Sequence, residues 1–286
     1  MEKLFDILQA LLVLILMIFG IGDGETATSP APIPEGSYLQ VHFIDVGQAD
    51  AALVLCDGEG MLIDGGNKAD SSLLYTYLKD HGITHLNYVV GTHAHEDHIG
   101  GLAGALHCAT ADTVFCPVTD YDSEAFRDFM KIVAGHGLSV TIPEAGDSFP
   151  LGAATVTILH CDPISENPNN TGIVLRVDYG DTSFLFTGDA EREVEEGMLD
   201  SGMNVRATVL KVGHHGSETS TSYRFLYEAQ PKYAVISVGE KNDYRHPHDA
   251  VMSRLQDADV EVYRTDEMGD IICTSDGKTV TFTTEK

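Results

Sequence analysis

The sequence predicts an α/β protein in which two mixed β-sheets pack face to face with helices on their outer surfaces. Three observations carry this. From Tyr38 onward, short apolar or alternating runs of strand length follow one another at hairpin distances. Amphipathic helical stretches come only at intervals, which a doubly wound parallel sheet would not produce. The chain has 286 residues, 43% of them apolar. About 250 lie beyond an N-terminal stretch of different character, the size of one α/β domain or two intimately packed halves.

Taken in order, the N-terminus comes first. Residues 4–22 are almost wholly apolar, and the unbroken part, 10–19, has the length of a signal-peptide core and is short for a span. Including 4–9 reaches spanning length at the cost of burying Asp6. Residues 11–18 are apolar on every face, which excludes an amphipathic helix of a folded domain. Residues 1–22 are therefore expected to be a signal or membrane-anchor segment, placing the protein outside the cell or anchored facing outward. Residues 23–37, with Pro30, Pro32 and Pro34 among Thr, Ser and Gly, have linker composition. Residues 38–286 form the folded domain.

Within it, strands are expected at 38–46, 51–56, 61–63, 88–92, 114–117, 139–142, 155–159, 173–179, 183–186, 208–212, 233–238, 260–264, 270–274 and 279–283. In these runs β-branched and aromatic residues alternate or cluster between turn-forming Gly, Asn and Asp. Helices are expected at 71–81, 99–107, 123–136, 191–201, 222–228 and 249–257, where apolar residues recur at helical spacing.

The strand ending at Val90 runs into Gly91-Thr92-His93-Ala94-His95-Glu96-Asp97-His98-Ile99-Gly100-Gly101. A buried strand that delivers H-x-H-x-D-H into a tight loop can aim His93 and His95 at one metal ion and Asp97 and His98 at a second. Neutral imidazole and carboxylate suit Zn²⁺, and a site with an open position generates hydroxide near neutral pH. No Gly-x-Ser-x-Gly elbow is present, so no serine nucleophile is expected.

Seventeen basic residues face 44 acidic ones, a net charge of −27. Sequence-blind binding of DNA or RNA depends on Lys and Arg neutralising phosphates, so weak or no general nucleic-acid affinity is expected. Bound divalent cations would still draw a phosphoester to the site itself. The five cysteines, Cys56, Cys108, Cys116, Cys161 and Cys273, show no framework spacing, which argues against a disulfide scaffold.

H-x-H-x-D-H after an apolar strand resembles the metallo-β-lactamase superfamily. Further segments narrow the likeness to the hydrolase domain of ComEC-type competence (DNA-uptake) proteins and their stand-alone relatives. They are His42-Phe43-Ile44-Asp45-Val46-Gly47-Gln48-Ala49-Asp50, Leu62-Ile63-Asp64-Gly65-Gly66, Phe186-Thr187-Gly188-Asp189-Ala190, Leu210-Lys211-Val212-Gly213-His214-His215-Gly216-Ser217, and Ile236-Ser237-Val238-Gly239 followed by His246-Pro247-His248. The likeness spans roughly residues 38–284 in motif order. Ala49 stands where the subgroup usually has Gly, and His95 where the channel proteins often have Asp. The channel's many membrane spans have no counterpart here, so DNA transport is not expected of this sequence.

The resemblance implies an αββα sandwich and two divalent ions, Zn²⁺ with Mn²⁺ as the alternative. The ligands it implies are His93, His95, Asp97, His98, His160, Asp189 and His215, with Asp189 bridging both ions. His160 ends the alternation 155–159. His214 and His215 follow a strand, where neighbours point opposite ways. One should ligate while the other faces substrate or supports a ligand; motif order favours His215 as the ligand. Asp64, before two glycines, is expected to buttress the His loop by hydrogen bonds. Asp45 and Gln48 bracket a glycine turn at the site floor. His246 and His248 are candidates to contact a phosphate or protonate a leaving group, His214 to assist the leaving oxygen in place of His246, Lys211 to contact an anion, and Asp97 to orient the hydroxide. The expected activity is that of an exported phosphodiesterase or nuclease, the hydroxide between the ions attacking phosphorus, with a small or surface-polymer phosphoester as substrate. Rival readings are hydrolysis of an ester, thioester or lactam by the same hydroxide, and a non-catalytic anchored binding domain.

Overall fold

A computed structural model describes residues 36–286. The expected signal or anchor segment, 1–22, and nearly all of the expected linker, 23–37, lie outside the described residues. Among the described residues no helix is long and apolar enough to cross a membrane.

Among the described residues, fifteen strands form two sheets. The strands of the first are β1 (Leu39–Phe43), β2 (Ala52–Cys56), β3 (Glu59–Ile63), β4 (His85–Val90), β5 (Thr110–Phe115), β6 (Val140–Thr141), and, from the far end of the chain, β14 (Ile271–Ser275) and β15 (Val280–Thr284). Their order is β15-β14-β1-β2-β3-β4-β5-β6. The second sheet takes β7 (Ser148–Leu151), β8 (Ala154–His160), β9 (Val174–Tyr179), β10 (Thr182–Phe186), β11 (Val209–Lys211), β12 (Tyr233–Ile236) and β13 (Glu261–Arg264). Its order is the reverse of the chain, β13 to β7.

Each sheet is antiparallel on one side and parallel on the other. Pairings β14–β1, β1–β2 and β2–β3 are antiparallel, whereas β3–β4, β4–β5 and β5–β6 are parallel. In the second sheet β7 to β10 pair antiparallel and β10 to β13 parallel. The functional loops lie at the carboxyl ends of the parallel strands, where open α/β sheets place their ligands.

Three apolar clusters define four layers. Between the sheets, Val41, Phe43 and Val54 of the first meet Val156, Leu175 and Phe184 of the second. The other face of the first sheet packs on helices Ser71–Asp80, Leu102–Cys108 and Glu124–Gly135. That of the second packs on Arg192–Asp200, Tyr223–Ala229 and Asp249–Asp257. Helix Glu124–Gly135 shows how the sequence dictates this. Ser123 caps it by accepting from Phe126 N, and Phe126, Phe129 and Val133 present one buried stripe. All five cysteines are free, with Cys56, Cys116 and Cys273 buried.

The αββα sandwich is the one expected, with local differences. Strand β7 is not among the strands expected from the sequence, and Pro150 stands inside it. The proline is tolerated because β7 is an edge strand, bonded to β8 alone. The helix expected at 99–107 is two helices, Glu96–Ile99 and Leu102–Cys108, so Asp97 and His98 lie on a helical turn instead of in open loop. The two glycine pairs explain each other. A Cβ on Gly101 would stand 1.9 Å from the Gly65 carbonyl oxygen, and Gly65 N donates to His98 O at 2.6 Å. Only glycine lets the end of β3 pass this close to the His loop.

Candidate metal centre

The His loop hangs from the end of β4 and is held from below by Asp64. This carboxylate is 1% exposed and follows β3 at φ 59°. It accepts from Thr92 N (2.7 Å), Thr92 Oγ1 (2.8 Å) and His98 Nδ1 (2.8 Å). Both oxygens are thereby committed to the loop, and His98 is left with Nε2 facing the site.

Nε2 of His98 lies 3.2 Å from Asp189 Oδ1. Asp189 follows β10, is almost wholly buried, and gathers the remaining groups. His215 Nε2 is 3.7 Å from its Oδ1, His214 Nε2 3.5 Å from its Oδ2, and His93 Nε2 3.9 Å from the same Oδ2. His93 and His95 approach each other at 3.0 Å, Nε2 to Nδ1. Asp97 Oδ2 is 3.3 Å from His215 Nε2. Asp97, His98, Asp189 and His215 thus bring ligand atoms within 4.8 Å of one another.

His214 and His215 both adopt left-handed backbone, φ 53° and 52°. Strand alternation stops at Lys211, so the two rings do not point opposite ways. They approach the two oxygens of one carboxylate. His215 Nδ1 is turned inward, 3.1 Å from Ser237 O and 3.1 Å from Asp50 Oδ1. His214 is the more exposed ring and lines the open pocket.

The charge balance of this cluster calls for cations. His98 Nε2, Asp189 Oδ1 and His215 Nε2 are buried without an aligned hydrogen-bond partner, a costly state for polar atoms. Despite burial, the carboxylates of Asp189 and Asp64 push the His98 imidazole well above its ordinary pKa. Asp189 and Asp50 likewise raise His215 to about 10. Against burial, His98 and His215 hold Asp189 well below the usual carboxylate range, and His215 draws Asp97 down to about 2. Burial pushes His93 well below 6.5. Buried protons shared between imidazoles and carboxylates are what divalent ions displace when ligands of this kind bind them. The donor set therefore fits a metal centre.

Above the cluster opens a pocket of about 390 Å³ whose wall includes His95, Glu96, Asp97, Asp189, His214 and His215 on one side and Gln48, Asn169, Tyr244 and His246 on the other. Gln48 is pinned by Gly239 N, which donates to its Oε1 at 3.1 Å, and its Nε2 faces His246 Nδ1 at 3.4 Å. With Nδ1 accepting, the neutral His246 ring carries its proton on Nε2. Burial and then the neighbouring His215 lower His246 to about 4, so it is neutral at pH 7.

Other expected site residues lie elsewhere. Lys211 is not an anion contact in this arrangement. It is buried, with Nζ 2.7 Å from Asp50 Oδ2 and 3.0 Å from Val212 O, and so is tied into the support of His215. His248 accepts from Glu218 N at 3.0 Å and does not line the pocket. Asp45 shapes its turn by accepting from Gly47 N at 3.2 Å. His160 ends β8 beyond an irregularity in its pairing with β9, and its Nε2 donates to Asn170 O at 3.0 Å, outside the pocket wall. Sequence reading missed Asn169, Glu191, Thr92 and Tyr244. Only Thr92, inside the motif, carried a signal that pointed to it.

Residues 44–240 match the family described as the Metallo-beta-lactamase superfamily. The chain is 31% identical over 251 residues to ComE operon protein 3 of Bacillus subtilis, covering 81% of this chain and 32% of that protein. It is 33% identical over 223 residues to Recombination protein 2 of Haemophilus influenzae, covering 76% and 26%. The chain thus spans about a third or less of the length of these relatives. Among solved structures, the metallo-beta-lactamase fold protein YhfI of Bacillus subtilis superposes with a TM-score of 0.55 at 15% identity, over 86% of this chain and all of that one. That likeness speaks for the fold alone. Family match, relatives and Asp–His cluster agree: the chain belongs to the metallo-beta-lactamase superfamily, as a metal-dependent hydrolase of its ComEC-like subgroup.

Proposed function

We propose that the protein is an exported dinuclear-metal phosphodiesterase acting on a small or surface-polymer phosphodiester. The observation that carries this reading is the pocket wall. It holds three carboxylates, Glu96, Asp97 and Asp189, and no Lys or Arg among its residues, so an anionic substrate has only bound cations to attract it. Two divalent ions, Zn²⁺ or Mn²⁺, would be held by His93, His95, Asp97, His98, Asp189 and His215. When bound, they supply charge to offset non-bridging oxygens and a lowered pKa for water.

The chain's own residues do the rest. Asp97, ionised at any physiological pH, accepts a hydrogen bond from the attacking water and so orients it. Asp64 and Asp50 fix the His98 and His215 rings through Nδ1. His246, neutral and held by Gln48, donates Nε2–H to a phosphoryl oxygen, which replaces the leaving-group acid role open to it from sequence. His214 and Tyr244 flank the open pocket mouth, where the phosphorus–oxygen bond to the leaving group breaks and that oxygen takes a proton from solvent to depart as the alcohol. Recombination in the name of the Haemophilus influenzae relative supports a phosphodiester over a lactam or ester.

The test is a side-by-side assay of the metal-loaded chain on bis(p-nitrophenyl) phosphate, single-stranded DNA and nitrocefin. Fastest turnover of the small diester is expected. Preferential nitrocefin cleavage would overturn the substrate class, and no turnover of any substrate would leave a binding domain.

A further inference from the structure

We propose that Asn169 completes the first metal position, its amide oxygen standing beside His93 and His95 where motif order had placed His160. The proposal rests on the reading of the site as a two-metal centre.

His160 directs Nε2 to the Asn170 carbonyl. Asn169 lies on the turn Pro168–Thr171, which is fastened to the His loop: Ile173 N donates to Thr92 O at 2.8 Å. A Cβ on Gly172 would lie 3.9 Å from His93 Cβ. This fastening brings the turn against the strand end that carries His93 and His95. Asn169 is 8% exposed and lines the pocket with His95. Its Nδ2 donates to Glu191 Oε1 at 3.3 Å. A carboxylate only accepts, so Glu191 fixes which way the amide faces. The opposite atom, Oδ1, is buried and has no hydrogen-bond partner. A buried amide oxygen left orphaned, while its own nitrogen is held in place, marks a missing electropositive partner. Glu191 also accepts from Asn167 Nδ2 at 3.2 Å, so the turn is positioned from both sides.

The donor type has a consequence. The second position is served by Asp97, His98, Asp189 and His215, whereas the first would combine two imidazoles, a neutral amide oxygen and the shared Asp189. Carbonyl oxygen is a hard donor that suits Mn²⁺, and imidazole in its place would favour Zn²⁺. The first position should therefore be the weaker for Zn²⁺ and the more tolerant of Mn²⁺.

The full chain is dialysed to equilibrium against buffered free Zn²⁺ or Mn²⁺ and its metal content measured, with circular dichroism to verify folding. Wild type should hold two ions. Asn169→Ala should weaken one of them by at least about tenfold, the loss that removing a mere hydrogen-bond partner of a ligand already causes, and leave the other unmoved. His160→Ala should keep both. Asn169→His should keep both and raise the Zn²⁺-to-Mn²⁺ affinity ratio at the weaker position. If Asn169→Ala retains two ions with wild-type affinity, or His160→Ala loses one, the assignment is overturned. Should the Ala chain not fold, an unchanged ratio in Asn169→His overturns it. A wild type that binds fewer than two ions instead removes the two-metal reading, a separate result.

Discussion

Asp64→Asn isolates the support of the His loop from the metal ligands. Asp64 has positive φ, a conformation Asn adopts readily, so the backbone is unchanged and only the carboxylate chemistry is altered. Asp64 accepts three hydrogen bonds, from Thr92 N, Thr92 Oγ1 and His98 Nδ1. Asn keeps one oxygen, which can remain with Thr92 N. Its NH₂ then meets the Thr92 hydroxyl and His98 Nδ1, both donors in the wild type. A hydrogen bond to a charged group contributes about 1.5–3 kcal/mol, and an unsatisfied buried donor costs a similar amount. A loss of about 3 kcal/mol in the metal-free chain is expected, with the Thr92 hydroxyl rotating to relieve part of the conflict. His98 also loses the partner that orients it, which should weaken metal binding about 10–100-fold without abolishing it. Urea unfolding of the metal-free chain and competition with a chromophoric chelator measure the two effects. An Asp64→Asn chain within about 0.5 kcal/mol of wild type, the range of ordinary surface changes, and with unchanged metal affinity would refute this account of the loop.

Three further outcomes are expected. His215 is held at about 10 in the metal-free chain, above its ordinary 6.5. Its contribution to stability is full below pH 6.5 and is lost as pH rises through about 10, so the urea midpoint of the metal-free chain should fall between pH 7 and 10 more steeply than that of the metal-loaded chain; parallel curves would contradict this. Gly101→Ala places a Cβ against the Gly65 carbonyl and should cost upward of about 3 kcal/mol, towards the top of the range for overpacking; a wild-type thermal midpoint would show that the two glycine turns are not in contact. With a net charge of −27, turnover of a small diester should exceed that of plasmid DNA at low ionic strength, and the gap should narrow as screening shortens to about 10 Å at 0.1 M salt; a gap that salt leaves unchanged would remove the charge argument.

The layered fold was legible because period-2 strands and period-3.6 helices are written in apolar residues, and burial enforces those periods. The His loop was legible because four ligand-type side chains follow a buried strand. Asp64 could be separated from the ligands because a carboxylate ahead of two glycines has its backbone committed to a turn. Other features depend on geometry that a linear pattern does not carry. His214 and His215 escaped the alternation rule because left-handed backbone begins after Lys211. His160 has ligand chemistry at a strand end, yet the irregular pairing of β8 with β9 sends its Nε2 to a neighbouring carbonyl. Asn169 sits in Asn167-Pro168-Asn169-Asn170, which reads as turn chemistry. Only the folded chain shows that one of these amides leaves a buried oxygen without a partner. Lys211 is an apparent anion contact from sequence because nothing near it in the chain identifies Asp50 as its partner.

The most direct test of the central claim, that Asp189 gathers His93, His98 and His215 into a two-metal centre, is the metal content of Asp189→Ala beside wild type, both purified without chelator. About two divalent ions per wild-type chain are expected, the number a paired site of this kind holds. The variant should retain one or none while its far-ultraviolet circular dichroism stays that of wild type. A wild-type chain without metal, or an Asp189→Ala chain that keeps both ions, would contradict the account.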